Sequence, residues 1–413
     1  MGPDSDSRFD VAIVGGGLVG ASLAVALARS NKSVVLIEST LPPASSPSWD
    51  ERTIAINAAS RRILAGLGLW ARLEPDAEPI LSTHISERGM FGVARFTAED
   101  AGEPALGYNI PLRAIGAVLQ QAVQSTGEVR MVCPATVRGL SAGPRQIELQ
   151  IGGETAESRR KIEASLVVAA DGAHSAVRLL LGIGAEQLDY GQVAIVGAVR
   201  PERPHRGVAY ERFTPDGPIA LLPRPQDRCA LVWTVPTATT AEILGWNDPE
   251  FLLRLQDRFG YRLGRFLEAG RRQGYPLRRV MSDALTAPRV IFAGNAAQAL
   301  HPVAAQGFNL GLRDAATVAE LVAGAADPGA TELLAEYAAR RRQDREQVAS
   351  FTDQLVRLFS NAIPGLRSAR HLGLLALDVW PAAKQEVLRR NLGFGGVTPE
   401  LARSGIDILR TGG

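Results

Sequence analysis

Gly15, Gly17 and Gly20 stand in a G-x-G-x-x-G spacing, and Glu38 follows about twenty residues later. That set can hold a dinucleotide. Gly15 permits a tight turn, Gly17 lets the backbone approach a pyrophosphate, and Gly20 allows a helix to pack closely on a strand. A helix that starts there offers free N–H groups and a partial positive charge to phosphate. Glu38 is placed to accept hydrogen bonds from ribose hydroxyls. Two more clusters carry polar groups next to glycines. One is Asp171-Gly172-Ala173-His174-Ser175. The other runs from Gly294-Asn295 through His301-Pro302 to Gln306-Gly307-Phe308-Asn309. The glycine motif by itself does not separate FAD from NAD. A second helix aimed at an anionic reduced ring fits a flavin better than a nicotinamide.

The elements that must position these groups are legible as apolar runs. DVAIV (10–14) reads as a buried parallel strand, Ala21 to Arg29 as a helix, and SVVLI (33–37) as a second strand ending at Glu38. ASLVVAA (164–170) delivers Asp171 to a strand's carboxyl end, where open α/β sheets bind ligands. RVIFA (289–293) precedes Gly294, and NLGLRDAATVAELVA (309–323) is helical. The fold class expected is α/β: a Rossmann-like FAD-binding domain with an inserted mixed-sheet substrate domain and C-terminal helices.

GGGLVG (15–20), ADGAHSAVR (170–178) and AGNAAQALHPVAAQGFNLGLRD (293–314) resemble the single-component flavoprotein aromatic hydroxylases of the para-hydroxybenzoate hydroxylase type. WDERTIAIN (49–57), YERFTPDGPIALLP (210–223), LVW (231–233) and GYRLG (260–264) extend the resemblance from residue 10 to about 395, and toward the ubiquinone-biosynthesis branch. Gly-Asn-Ala-Ala-Gln (294–298), where most relatives have Gly-Asp-Ala-Ala-His, resembles the 2-polyprenyl-6-methoxyphenol hydroxylases of that branch. An amide at Asn295 can bond ribityl hydroxyls as a carboxylate does, without its charge.

The resemblance implies site residues. Gly15, Gly17, Gly20 and Glu38 would hold the ADP half of FAD. Arg52, Arg113 and Gln120 would contact the cofactor, and Asp171 would lie near the pyrophosphate and assist nicotinamide recognition. Gly294 and Asn295 would take the ribityl position, and Pro302, Gln306, Gly307 and Asn309 would line the flavin ring. His301 could act on a phenol proton, although a loop histidine that orders the Pro302 turn fits as well. The implied reaction uses FAD, NADPH or NADH as co-substrate, and O2 to hydroxylate a polyprenyl-methoxyphenol, at ring C4 by the resemblance. Hydroxylation of another aromatic compound, or a non-catalytic flavin-binding subunit of a biosynthetic complex, remain the alternatives. Tyr210, Arg212 and Phe213 lie in an alternating segment that could face substrate or simply pack a sheet.

The expected organisation is discontinuous. Residues 8–75, 100–184 and 286–330 form the FAD-binding domain, 76–99 and 185–285 the substrate-binding domain, and 331–413 a C-terminal helical region. The middle carries strand-like runs at 192–199, 218–223 and 229–235, and a helical run near 249–259. In the long helical stretch 331–361, Arg340, Arg341, Arg342 and Arg345 read as a solvated charged face. GLLALDVW (373–380) is apolar and flanked by Arg367, Arg370, Lys384, Arg389 and Arg390. It reads as a cover on the FAD domain or as a contact with a membrane surface or a ubiquinone-biosynthesis complex.

Composition sets the outer bounds. The 413 residues include 45 basic and 43 acidic side chains, a net charge of +2, too balanced for a dedicated nucleic-acid binder. Apolar residues make up 46%, enough to build large cores without disulfide or metal staples. No second glycine fingerprint, no metal-ligand cluster and no G-x-S-x-G nucleophile turn stands in the sequence. Cys133 and Cys229 are far apart and read as free core thiols of a reducing cytoplasm. The N-terminus lacks the pattern of a secretory signal. A cytoplasmic protein is expected, with a peripheral position at the inner membrane as a refinement.

Overall fold

The computed structural model describes residues 7–41, 52–152, 160–300, 306–359 and 380–404. The chain opens with strand β1 (Arg8–Val14), helix α1 (Leu18–Leu27) and strand β2 (Val34–Ile37). β1 runs parallel to β2 on one side and to Arg160–Ala169 on the other. Val290–Phe292 and Val129–Val132 extend the parallel set outward. Both faces of this sheet are covered, which is why its strands are continuous apolar runs rather than alternating ones. The order places β1 at the centre, so the chain reverses direction of build beside its carboxyl end. That position is the ligand crevice of an open α/β sheet.

A nine-stranded mixed sheet stands beside it. Its main path runs from Gln298–Ala299 through Gln273–Ser282, Ala185–Pro201, Arg228–Pro236, Ile219–Arg224 and Val208–Phe213 to the Ser82–Glu87 and Val93–Thr97 hairpin. Strand alternation gives this sheet two different faces. One face buries Ile195, Ile219, Leu221, Leu231 and Trp233 against the helix Asp248–Phe259, whose Phe251, Leu255 and Phe259 complete that core. The other face, with Ala209, Glu211, Ala220, Leu222, Val232 and Thr234, looks into a cavity. Between the sheets lies a small third one, in which β3 (Thr53–Asn57) and Glu78–Ile80 flank Gly107–Pro111.

Two helices finish the site. Gln306–Ala323 packs on α1, and Thr331–Phe359 packs behind it. The helix Pro381–Asn391 is fixed to the hairpin side by a Lys384–Asp100 ion pair at 2.8 Å and by Gln385 donating to the Asp100 carbonyl at 2.8 Å.

The expectation of a solvated arginine face on the long helix holds at Arg342, which is exposed, and is corrected at Arg341. Arg341 is 1% exposed and Asp344 2%, and Arg341 pairs with Asp344 at 2.8 Å and with Asp314 at 2.6 Å. Arg313, also buried, pairs with Asp344 at 3.3 Å. Asp344 is a neighbour on the same helix, but Asp314 and Arg313 belong to the helix Gln306–Ala323, out of reach of a local charge pattern. Cys229 is a buried free thiol as expected, whereas Cys133 is partly exposed.

Candidate active site

A cavity of about 1350 Å³ opens at the carboxyl ends of β1 and β2 and continues beneath the mixed sheet. Ligand pockets are usually ~300–1000 Å³, so this one has room for a cofactor and a second molecule. Its two ends differ chemically.

The polar end is built by the glycine turn. Gly15 has φ +101, and a Cβ there would sit 2.5 Å from the Ala170 carbonyl oxygen. A Cβ on Gly20 would fall 1.9 Å from the Gly15 oxygen. Only glycine lets α1 approach β1 this closely. Gly17, at the start of α1, supplies no side-chain cap, and the first turn carries no acidic residue. The N–H groups of that turn therefore border the cavity without a carboxylate from their own helix to occupy them, which suits a pyrophosphate. Glu38 lines this end, its Oε2 accepting from Gly16 N–H at 2.6 Å and its Oε1 from Thr40 N–H at 2.8 Å.

Asp171 stands on the same wall. Its Oδ2 accepts from Val177 N–H at 3.1 Å, while Oδ1 is buried with no partner. Gln306, the first residue of its helix, likewise has a buried, unpartnered Oε1. Asn295 lines the cavity and Gly307 borders it with open space. Unmatched polar atoms of this kind cost free energy unless a polar ligand meets them. With an anion-ready helix end, a carboxylate at the close of β2 and a cavity of this size, the residues fit FAD.

Some expected site residues do other work. Gly294 has φ +58 and donates its N–H to Asp314 Oδ2 at 3.0 Å, so it shapes the loop from behind. Asn309 lines the cavity, yet its amide is engaged with β3. Its Oδ1 accepts from Asn57 N–H at 3.0 Å and its Nδ2 donates to the Ala55 carbonyl at 2.9 Å. It joins the helix to the strand that forms the cavity's floor. Arg52, Arg113 and Gln120 are not in the cavity wall. The Arg52 guanidinium lies over the Tyr275 ring at 5.6 Å. Arg113 and Gln120 are on Leu112–Thr126, whose inward face is taken by Ile115, Leu119 and Val123. His301 and Pro302 lie outside the described residues, as does most of the apolar run 373–380.

The residues that sequence reasoning passed over are structural links and one carboxyl. Buried Arg178 ends the ADGAHSAVR motif. It donates to the Ala296 carbonyl at 2.8 Å and to the Ala173 carbonyl at 2.7 Å, tying two cofactor loops together. The other omission is Glu211. The alternation of AYERF (209–213) places Ala209, Glu211 and Phe213 toward the cavity. Of the two readings open for Arg212, the structure gives sheet packing. Arg212 points to the opposite side and donates to Ser86 Oγ at 3.1 Å. Tyr210 touches the cavity edge but packs its ring on Phe259 and His84. Burial pushes the Glu211 carboxyl up to about 7. On the far face, burial, with Arg262 beside it, brings His84 down to about 4.

The apolar end lies between the mixed sheet and the helix Pro381–Asn391. Phe96, Phe213 and Leu388 form one buried cluster, with Ile85, Leu106 and Val387 packed on it. These side chains line the cavity and offer no charge.

Comparison with known proteins agrees with this geometry. The family model described as FAD binding domain matches residues 8–352. The chain is 38% identical to the ubiquinone hydroxylase UbiL of Rhodospirillum rubrum, covering 97% of this chain and 93% of that one. It is 32% identical to the 3-demethoxyubiquinol 3-hydroxylase of Escherichia coli, covering 93% and 98%. Among solved structures, p-nitrophenol 4-monooxygenase from Pseudomonas putida superposes with a TM-score of 0.76 at 20% identity, over 95% of this chain and 99% of that one. The chain belongs to the FAD-binding domain family and is an FAD-dependent monooxygenase.

Proposed function

We propose that this protein hydroxylates the ring of a polyprenylated phenol in ubiquinone biosynthesis, using FAD, NAD(P)H and O2. The observation that carries the reading is the two-ended cavity. A polar end suited to a dinucleotide continues without a break into an apolar end formed by Ile85, Phe96, Phe213 and Leu388. The relatives named ubiquinone hydroxylase and 3-demethoxyubiquinol 3-hydroxylase support the same substrate class.

Bound FAD supplies electron transfer from NAD(P)H and the activation of O2. The chain supplies position. The α1 N-terminus and Gly17 hold the pyrophosphate, Glu38 the ribose, and Asn295 and Gln306 the ring-bearing half. Asn309 fixes β3 as the floor. The apolar end excludes water from the reacting ring and takes the prenyl chain, whose burial is favourable by roughly 25 cal/mol per Å². A prenyl substrate resides in the bilayer, so a peripheral position at the inner membrane belongs to this reading. No helix among the described residues is long and apolar enough to cross a membrane. Flotation of the full chain with anionic liposomes tests the peripheral contact.

The function is tested with the purified yellow protein under anaerobic conditions. NADPH should bleach the flavin band faster when a 2-prenyl-6-methoxyphenol analogue is present. Re-aeration should then yield a hydroxylated product by mass, and fragmentation of that product assigns the ring position, for which C4 is the expectation. Bleaching that ignores the phenol would contradict the substrate class.

A further inference from the structure

Glu211 occupies a position that packing alone does not explain. Across the mixed sheet its register partners are Ile85 on one side and Ala220 on the other. Ile85 pairs in turn with Ala94, Ala220 with Val232, and Val232 with Val196. Glu211 is thus the single polar residue in a six-strand row of apolar ones, and it faces the cavity. A strand that only had to pack would carry an apolar side chain here, because an unpartnered carboxyl in such a place is costly.

The neighbouring charges do not answer it. Arg212 is turned to the far face with Ser86, and His84 is there with Arg262. Arg95 alternates out of the cavity row between Ala94 and Phe96. Lys384, on the helix across the cavity, is paired with Asp100. The other acidic and basic side chains of the cavity wall, Glu38, Asp171 and His174, line its cofactor end. Burial is the sole cause that raises the Glu211 carboxyl toward 7, with no charged neighbour contributing.

We infer that Glu211 binds the ring hydroxyl of the phenol substrate and takes its proton. This rests on the phenol-hydroxylase reading above. The O–H bond of the ring breaks, its electron pair stays on the ring, and the proton moves to a Glu211 carboxylate oxygen. The ring gains the electron density that hydroxylation needs. When the hydroxylated ring re-aromatises, the proton on carbon is lost to water, its electron pair stays in the ring, and the ring oxygen recovers the proton held by Glu211. The balance needs no further reactant.

The test uses the holoenzyme of wild type, Glu211→Gln and Glu211→Asp. The probes are the prenyl-methoxyphenol analogue and its phenol O-methyl ether, with binding read from the flavin absorbance across pH 5.5–8.5. Wild type should favour the phenol over the ether by about tenfold above pH 7, the worth of a hydrogen bond to a charged group. That preference should fade as Glu211 protonates below pH 7. Glu211→Gln should retain its flavin and show a weaker preference with no such pH dependence. Its product formation should drop about 10²-fold or more, and Glu211→Asp should recover part of both. A flavin-loaded Glu211→Gln with the wild-type preference and wild-type pH profile overturns the inference. Wild type that oxidises NADPH without making any hydroxylated product contradicts the hydroxylase reading instead, and the phenol-versus-ether comparison still decides the role of Glu211.

Discussion

The Asp314 carboxylate meets the Arg341 guanidinium at 2.6 Å, and both side chains are buried. The other oxygen of Asp314 accepts from Gly294 N–H at 3.0 Å and Gln298 Nε2 at 2.7 Å. One carboxylate therefore holds the loop at the cavity wall to the long helix behind it. Burial alone would pull the Arg341 pKa down, and Asp314 and Asp344 together hold it up. Nearby, Tyr337 donates to the Phe292 carbonyl at 2.9 Å, so the same helix also holds the strand that leads into the loop.

Asp314→Asn should therefore act on stability and cofactor together. Breaking one partner of a buried ion pair costs about 3–5 kcal/mol. The urea midpoint of the holoprotein should fall accordingly, and the flavin dissociation constant should rise because the Gly294 loop loses its anchor. A variant with unchanged flavin affinity would separate this network from the site.

Gly20→Ala tests the close approach of α1. With a Cβ 1.9 Å from the Gly15 oxygen, the turn must open. The purified variant should lose most of its bound flavin, measured as the flavin-to-protein absorbance ratio. Gly116→Ala makes a control, since nothing lies within 4 Å of a Cβ there and alanine favours a helix.

Stability should depend on pH through His84. Its folded pKa is lowered from 6.5 to about 4 by burial and by Arg262. The unfolded chain binds a proton there below 6.5 while the folded chain does not until about 4. Stability should thus be complete above pH 6.5 and fall as pH drops toward 4, by up to ~3 kcal/mol. His84→Gln should flatten this window in urea titrations at pH 4.5, 5.5 and 6.5.

Glu211 predicts the opposite slope. A carboxyl raised from 4.5 to about 7 keeps its proton in the folded state over a range where the unfolded chain releases it. Its contribution is present below pH 4.5 and is lost as pH rises through 7. Glu211→Gln should therefore be more stable than wild type at pH 8, by on the order of 1–3 kcal/mol, with little difference near pH 4.5. A gain in stability joined to a loss of turnover is the expected pattern for a functional group kept at a structural cost.

The parallel sheet and its cofactor turn were legible in the sequence because buried parallel strands are contiguous apolar runs. DVAIV, SVVLI and ASLVVAA each signal themselves without long-range help. The mixed sheet gave only its alternation. YERF shows that one face is buried, but which face meets a helix and which a cavity depends on Asp248–Phe259 and on the strands at 82–87 and 219–224. Hence the alternation leaves the direction of Arg212 open and does not single out Glu211. Arg341 read as solvated for the same reason, since the Asp314 that pairs with it belongs to another helix, while Arg345 is turned to the Ser282 carbonyl of the mixed sheet. Asn309 was found at the cavity, while its bonds to Ala55 and Asn57 could be seen only once β3 was in place.

The central claim is hydroxylation of a prenylated phenol by O2 at this cavity. The most direct measurement is turnover of the purified holoenzyme with NADPH and the prenyl-methoxyphenol analogue under 18O2, read by mass spectrometry. The account predicts a product that carries one oxygen atom from O2, formed only with bound FAD and strongly diminished in Glu211→Gln. NADPH consumption that yields unlabelled phenol and only reduced oxygen would contradict it.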